Sequence, residues 1–374
     1  MKTTSGHPAG REDVGDATDR ERRARLHRAA DLLLRHPFQG WFYGDSIGFE
    51  GLVAASGLLG DPRYRSFGHG FLRGWATRAR PFREMDNTIA GRTLAVLAAE
   101  EGDAVLSDAA RAVADWSRER PTIGGVHVSF SKAPLREPYG GGTLSADEAR
   151  LLEDPGPGVY VDCLHFDPPF FVSLGARIGD GGLIDAGAGQ ALGYVRLLQD
   201  EATGLFRHFW LERTGRAYVL GWSRGQGWAL LGLLDVLEDL PADHEARAGL
   251  TVSIRRLVDA LAATQRPDGH WSAVAHEPAS GHEASTAAFV AAGIRRGVDL
   301  GILAASDLPV GARAWQATIR SLDERGVLAD VSAAVWSSTS QTHYHHVPTG
   351  FVVPWGQGPL LVAASLWLPA LSPE

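Results

Sequence analysis

Apolar residues recur at helical spacing in segment after segment of this chain, and that recurrence constrains the fold more than any motif does. Positions i, i+3, i+4 and i+7 carry the apolar side chains in about twelve stretches: Asp19 to Arg35, Ile47 to Ala55, Pro62 to Arg78, Thr88 to Glu101, Asp103 to Arg118, Leu164 to Arg177, Leu183 to Gln199, Gly225 to Leu240, Ala246 to Gln265, Glu283 to Arg296, Ser306 to Ser321 and Gln357 to Trp367. Strand-like alternation is short and scarce, as at Val126 to Phe130 and Val327 to Val331. Over this lies a second regularity. Glycine turns followed by an apolar or aromatic residue (Gly124-Gly125-Val126-His127, Thr203-Gly204-Leu205-Phe206, Asp268-Gly269-His270-Trp271 and Arg325-Gly326-Val327-Leu328) return about every 60 to 80 residues, close to one helical hairpin with its loops. Twelve helices paired at that period predict an all-α fold, an (α/α)6 barrel in which six hairpins close into a toroid with a funnel of loops at one end. A plain α-solenoid is the competing architecture, disfavoured because the repeats are so dissimilar.

No shift in composition marks a domain boundary in the 374 residues, so residues 23–374 read as a single domain. The segment from Lys132 to Gly158 departs from the helical pattern, with four prolines and several glycines, and reads as a surface insertion carrying a short helix at Ser145 to Leu152. Residues 1–22 are polar and densely charged, without the apolar core of a signal peptide; they are expected to be a disordered tail on a cytoplasmic protein. No apolar run reaches the roughly 18 residues that span a bilayer, which argues against a membrane protein. A net charge of -8 disfavours a nucleic-acid partner, which needs a basic face. Cys163 is the only cysteine, so neither an internal disulfide nor a thiolate metal cage can form.

Polar and aromatic residues gather at the expected helix starts. Trp222-Ser223-Arg224-Gly225-Gln226-Gly227-Trp228 combines one cation, two indoles and two glycines ahead of the apolar run Ala229 to Leu234. Indoles are flat platforms for a sugar or ring, and an arginine at a helix N-terminus is a planar fork for a carboxylate or phosphate. The bland alternative is a helix start with two core tryptophans and a surface arginine. Asp86, ahead of the helix near Ile89, could equally be an N-cap. Asp162, in Tyr160-Val161-Asp162-Cys163, has apolar neighbours; desolvation there would raise its pKa and keep it protonated, as a general acid must be, and its alternative role is again a cap. Asp167 could lie on the same rim. His208, between aromatic residues on a short extended piece, reads alone as a satisfied core histidine. Thr342-His343-Tyr344-His345-His346 invites a metal, but metal-binding histidines on helices usually stand at i and i+4, so a polar loop in which Tyr344 or His343 touches ligand is the better reading. Serine-hydrolase elbows and phosphate-binding P-loops are absent from the sequence.

In their order along the chain, these clusters resemble the unsaturated uronyl hydrolases of glycoside hydrolase families 105 and 88. The resemblance runs from about Trp41 through Asp86, Gly124-Gly125-Val126-His127, Tyr160-Val161-Asp162 with Pro169-Phe170, Thr203 to His208, Trp222 to Trp228, Asp268 to Trp271, Glu283-Ala284-Ser285-Thr286 and Trp355-Gly356-Gln357-Gly358-Pro359. It implies an (α/α)6 barrel acting on oligosaccharides left by polysaccharide lyases, whose non-reducing end is a 4,5-unsaturated uronic acid. The reaction is hydration of that double bond: an Asp protonates C4, water adds at C5, and the hemiketal opens with loss of the sugar partner. No metal or organic cofactor is implied.

By position, Asp162 resembles the family's proton donor and Asp86 its second aspartate, whose charge would help keep Asp162 protonated. Arg224 fits carboxylate recognition, Trp222, Trp228 and Tyr160 fit aromatic walls, and His208 and His127 would line the pocket. The chain departs from the family pattern at Tyr160, where Trp is common, in the Lys132 to Gly158 insertion, and in His165-Phe166-Asp167. Two other readings remain: a different enzyme on the same toroid, such as an epimerase using His343, His345 and His346 or an inverting glycosidase, and a carbohydrate-binding protein without catalysis.

Overall fold

The computed structural model describes residues 12–40, 43–78 and 91–370. Trp41 and Asp86, singled out above, lie outside them. Among the described residues the chain forms thirteen α-helices and seven short strands. The helices are α1 (Glu12–Leu34), α2 (Asp45–Leu59), α3 (Pro62–Arg78), α4 (Arg92–Glu100), α5 (Ala104–Arg118), α6 (Ala146–Glu153), α7 (Asp167–Ile178), α8 (Gly181–Leu198), α9 (Ser223–Asp239), α10 (Ala246–Thr264), α11 (Ser285–Asp299), α12 (Leu308–Arg320) and α13 (Pro354–Trp367). Helices α2, α4, α7, α9, α11 and α13 pack in that order into a closed inner ring, with α13 returning to α2, while α1, α3, α5, α8, α10 and α12 lie outside. This is the (α/α)6 barrel.

The two rings follow from side-chain patterning. Helix α9 is buried all the way from Ser223 to Leu237, as an inner helix covered on every side must be. Its outer partner α10 buries one stripe, Ala246, Leu250, Ser253, Ile254, Leu257, Val258 and Leu261. Closure between α13 and α2 depends on a close backbone approach: a Cβ on Gly51 would lie 2.7 Å from the Gly358 Cα, and one on Gly358 would lie 2.3 Å from the Ile47 carbonyl oxygen.

Links from each inner helix to the following outer one are short, such as Gly60-Asp61 and Gly179-Asp180, where Asp180 caps α8 by accepting from the Leu183 N–H at 3.1 Å. Links from outer to inner helices are long and carry the strands: β1 (Thr122–Ile123), β2 (Val126–His127), β3 (Gly158–Tyr160), β4 (Arg207–Leu211), β5 (Arg216–Leu220), β6 (Trp271–Ser272) and β7 (His282–Glu283). They therefore collect at the N-terminal ends of the inner helices. The central sheet is antiparallel in the order β3-β4-β5, with Tyr160 opposite Phe209 and Phe209 opposite Tyr218.

One expectation is corrected at the N-terminus. Helix α1 starts at Glu12, so residues 12–22 are helical rather than part of a disordered tail. Charge pairs at helical spacing, Arg22 with Asp19 at 2.7 Å and Arg25 with Glu21, supply local support that an apolar-period criterion passes over. Between Lys132 and Gly158, α6 is held by a capping box in which Ser145 and Glu148 satisfy each other's backbone N–H groups.

Candidate active site

Asp162 follows β3 at the start of the turn that leads into α7, and its side chain caps no helix. With the residue only 8% exposed, its carboxylate lines a cavity of about 120 Å³ together with Tyr43, Phe130, Tyr160, His208, Trp336 and Ser337. The bland reading of Asp162 as a cap is thereby removed. A larger cleft of about 430 Å³ adjoins it at Val335 and has Trp222 and Tyr344 in its wall.

His208 on β4 lies with Nε2 3.4 Å from Asp162 Oδ2 and Nδ1 2.5 Å from the Tyr344 hydroxyl. Aromatic rings enclose it: Tyr160 edge-on at 5.4 Å between centroids, Tyr344 edge-on at 5.5 Å and Trp222 tilted at 4.3 Å. Burial lowers the His208 pKa by more than neighbouring Asp162 raises it, and the positive charge of Arg224 adds to the lowering, so the imidazole is neutral near pH 7. Burial also raises the Tyr344 pKa well above its usual value, keeping that hydroxyl protonated. When Tyr344 donates to Nδ1, the single imidazole proton resides on Nε2 and faces Asp162. Tyr160 is held by its hydroxyl, 2.8 Å from Ser337 Oγ. Opposite His208, Val219 on β5 has φ 59°, a left-handed conformation that a β-branched residue rarely adopts, and such strain is typical of functional sites.

Arg224, on the first turn of α9, is 0% exposed. Its guanidinium lies 3.5 Å from Glu283 Oε1 and donates to Ser332 Oγ and, at 3.0 Å, to the Ala333 carbonyl. It lies 5.0 Å from the Trp222 ring centroid, so it braces the indole that touches His208 rather than opening toward the cavity. Trp228 is a core residue, packed against Phe289 at 4.6 Å and His165 at 5.1 Å. His127 is drawn away from the cavity: it lies 3.5 Å from Asp167, which pairs with Arg120 at 2.8 Å. Asp167, expected at the rim, is wholly buried in that pair, whose positive charge, with His127, overcomes the effect of burial and lowers its pKa.

His343 is a pin for the insertion. Its Nδ1 accepts from the Tyr139 backbone N–H at 2.9 Å, Nε2 donates to the Trp336 carbonyl at 2.7 Å, and its ring stacks on Tyr139 at 4.5 Å. The Nδ1 bond needs the neutral imidazole, whereas the Nε2–H can donate to the Trp336 carbonyl from either form, and burial lowers the His343 pKa. A folded-state pKa below the ordinary 6.5 means that this contribution is complete above about 6.5 and is lost as pH falls through the folded value. Trypsin cleavage at Lys132, Arg136 or Arg150, measured relative to an unstructured reference peptide at the same pH, is accordingly expected to accelerate as pH falls below 6.5 and to lose that relative acceleration in His343→Ala; equal relative pH profiles would exclude this role.

The sequence pattern of glycosyl hydrolase family 88 matches residues 18–368, nearly the whole chain. The chain belongs to glycosyl hydrolase family 88. It is 23% identical over 337 residues to the unsaturated rhamnogalacturonyl hydrolase YesR of Bacillus subtilis, covering 88% of this chain and 90% of that protein. A possible GH105 member from Klebsiella pneumoniae superposes with a TM-score of 0.78 at 20% identity, covering 98% of this chain and 95% of that one. The unsaturated glucuronyl hydrolase of Bacillus sp. GL1 superposes with a TM-score of 0.64 at 17% identity, covering 92% and 97%. These structures share the barrel.

A second polar cluster in this family 88 chain lies in the barrel interior, where Glu50, His165 and Asp235 bring three ligand-type atoms within 4.8 Å of one another. The donor set would suit a divalent cation, but positive groups already claim it. Arg296 pairs with Asp235 Oδ1, and Arg92 lies 4.0 Å from the same oxygen. Burial opposes charge on His165, yet Glu50 and Asp235, at 3.5 and 3.6 Å, outweigh it and raise its pKa. The cluster is a buried charge network linking inner helices. Among cavity residues, Tyr43, Phe130, Trp336 and Ser337 went unrecognised in the sequence; the one available signal was the Trp-Ser-Ser-Thr-Ser run just ahead of the histidine cluster.

Proposed function

We propose that this protein is a hydrolase that removes the 4,5-unsaturated uronic acid from the non-reducing end of oligosaccharides produced by polysaccharide lyases. The observation that carries the reading is Asp162, a buried carboxyl that caps nothing, faces a cavity and is backed by His208 and Tyr344. Membership of glycosyl hydrolase family 88 and the likeness to an unsaturated rhamnogalacturonyl hydrolase support the same substrate class.

In this reading Asp162 is the general acid. With the His208 Nε2–H directed at Oδ2, the acidic proton of Asp162 belongs on Oδ1, the oxygen left for substrate. Asp162 gives that proton to C4 of the enol ether while positive charge develops at C5 and the ring oxygen. Water adds to C5 and returns a proton to the carboxylate. The C5 hemiketal then opens, and the hemiacetal formed at C1 releases the remaining sugar. Asp86 is the proposed second carboxylate. Trp222, Tyr160 and Tyr344 shape the pocket, and Arg224 is a positioning residue that acts through Trp222 and Glu283. No metal or organic cofactor enters these steps.

The test is incubation with a panel of unsaturated uronyl disaccharides, following the ultraviolet absorbance of the double bond. Loss of absorbance with release of the second sugar is expected; an inert panel alongside cleavage of saturated glycosides would overturn the reading. Tyr344→Phe removes the hydroxyl that selects the His208 tautomer. It is expected to lower kcat by roughly three- to tenfold, the ~0.5–1.5 kcal/mol of one hydrogen bond, with little change in KM. A change confined to KM would instead place Tyr344 directly on the substrate.

A further inference from the structure

The insertion supplies one wall of the Asp162 cavity. Pro134 lines it beside Phe130, which lies just ahead of the insertion, Leu135 pairs with Ser337, and the Arg136 N–H donates to the Ser337 carbonyl at 2.9 Å. Further along, Tyr139 is pinned by His343, and Gly140 lies so close to His346 that a Cβ there would come within 2.2 Å of its ring. This wall is therefore fixed to the 336–346 segment at two places. Its outer edge carries Trp336, 40% exposed although it lines the cavity, with the Arg136 guanidinium 4.2 Å from the ring centroid.

Among the described residues Arg136 forms no ion pair, in a chain whose net charge is -8 and whose other cations at the site, such as Arg224, are committed to carboxylates or carbonyls. An indole holding a guanidinium restricts a side chain that is otherwise costly to order, so less freedom is lost when its donors meet a ligand. The planar fork matches the oxygens of a carboxylate or sulfate. The exposed edge at Trp336 gives the sugar joined to an unsaturated ring beside Asp162 a way out of the cavity.

Resting on the function proposed above, we propose that Arg136, held over Trp336, recognises an anionic substituent, a sulfate or a carboxylate, on the sugar next to the unsaturated uronate. The exposed part of Trp336 packs against that sugar's ring, and Arg136 sets the preference for charge.

The experiment compares three unsaturated disaccharides whose second sugar is neutral, sulfated or carboxylated, with turnover followed by ultraviolet absorbance at low and high salt. The intact protein is expected to show a KM for at least one anionic substrate about tenfold below that for the neutral one, with the advantage shrinking as salt rises. Which anionic arm gains more separates sulfate from carboxylate. Arg136→Ala is expected to bring the ratio of the two KM values close to one, and Arg136→Lys to restore part of it. Equal KM values in the intact protein, or a ratio that survives Arg136→Ala, would overturn the proposal. Calorimetric binding of the three disaccharides to Asp162→Asn reads the same ratio without turnover. Absence of turnover on all three with a charge-dependent affinity would sink the proposed reaction and leave the subsite standing.

Discussion

Asp162→Asn is expected to lower turnover by about 10²–10⁴-fold while the barrel stays folded. The amide keeps the shape of the side chain and cannot supply the proton that C4 must receive. Stability should hardly change, because the carboxylate caps no helix and the polar group beside it is His208 Nε2 at 3.4 Å. A weak contact of that kind accounts for about 1 kcal/mol or less, roughly 2 °C in melting temperature for a chain of this size. The pairing of a large kinetic loss with an unmoved melting transition is the diagnostic result. Near-normal turnover in the variant would transfer the chemistry to another group. His208 then becomes the candidate, since His343 is held by Tyr139 and Trp336, and His345 Nε2 lies 2.6 Å from Glu277.

The helical frame was legible because inner and outer helices leave different signatures: apolar on every side in α9, one stripe in α10. Asp162 was legible for a related reason, an acid placed within an apolar run just before a helix. The central sheet was harder to read. In β4, His208 and the adjacent Phe209 are both buried, so the alternation that marks a half-buried strand is broken, and no propensity scale anticipates Val219 at φ 59°. Long-range partners were not legible at all. The groups that fix Arg224 and His343 are 59 and 108 residues away in one case and 204 in the other, and local pattern carries no information about which way such side chains turn. The histidine cluster shows the consequence: its composition suggested a ligand loop, whereas His343 is spent on fastening the insertion.

Arg224→Ala is expected to destabilise the protein by about 3–5 kcal/mol, because removing one member of a buried pair strands the other charge. Glu283 is the group left behind. Burial acts to raise its pKa, but Arg224 and hydrogen bonds from Ser285 and Thr286 outweigh it and hold the pKa below the ordinary value. A carboxyl depressed in this way contributes stability that is complete above its unfolded-state pKa, near 4.5, and is lost as pH falls through the folded value. Without Arg224 that depression should largely vanish, so denaturant midpoints of the variant and the parent should converge as pH falls below about 4.5. Glu283→Gln added to Arg224→Ala is expected to recover part of the loss by removing the unpaired charge, and the double-mutant cycle gives the coupling directly. Activity should fall as well, through Trp222, which Arg224 approaches to 5.0 Å and which in turn packs on His208. The opposite outcome, full stability with only a raised KM, would mean that the guanidinium leaves Glu283 and turns to the substrate carboxylate. Arg224 would then be a binding residue rather than the brace behind Trp222.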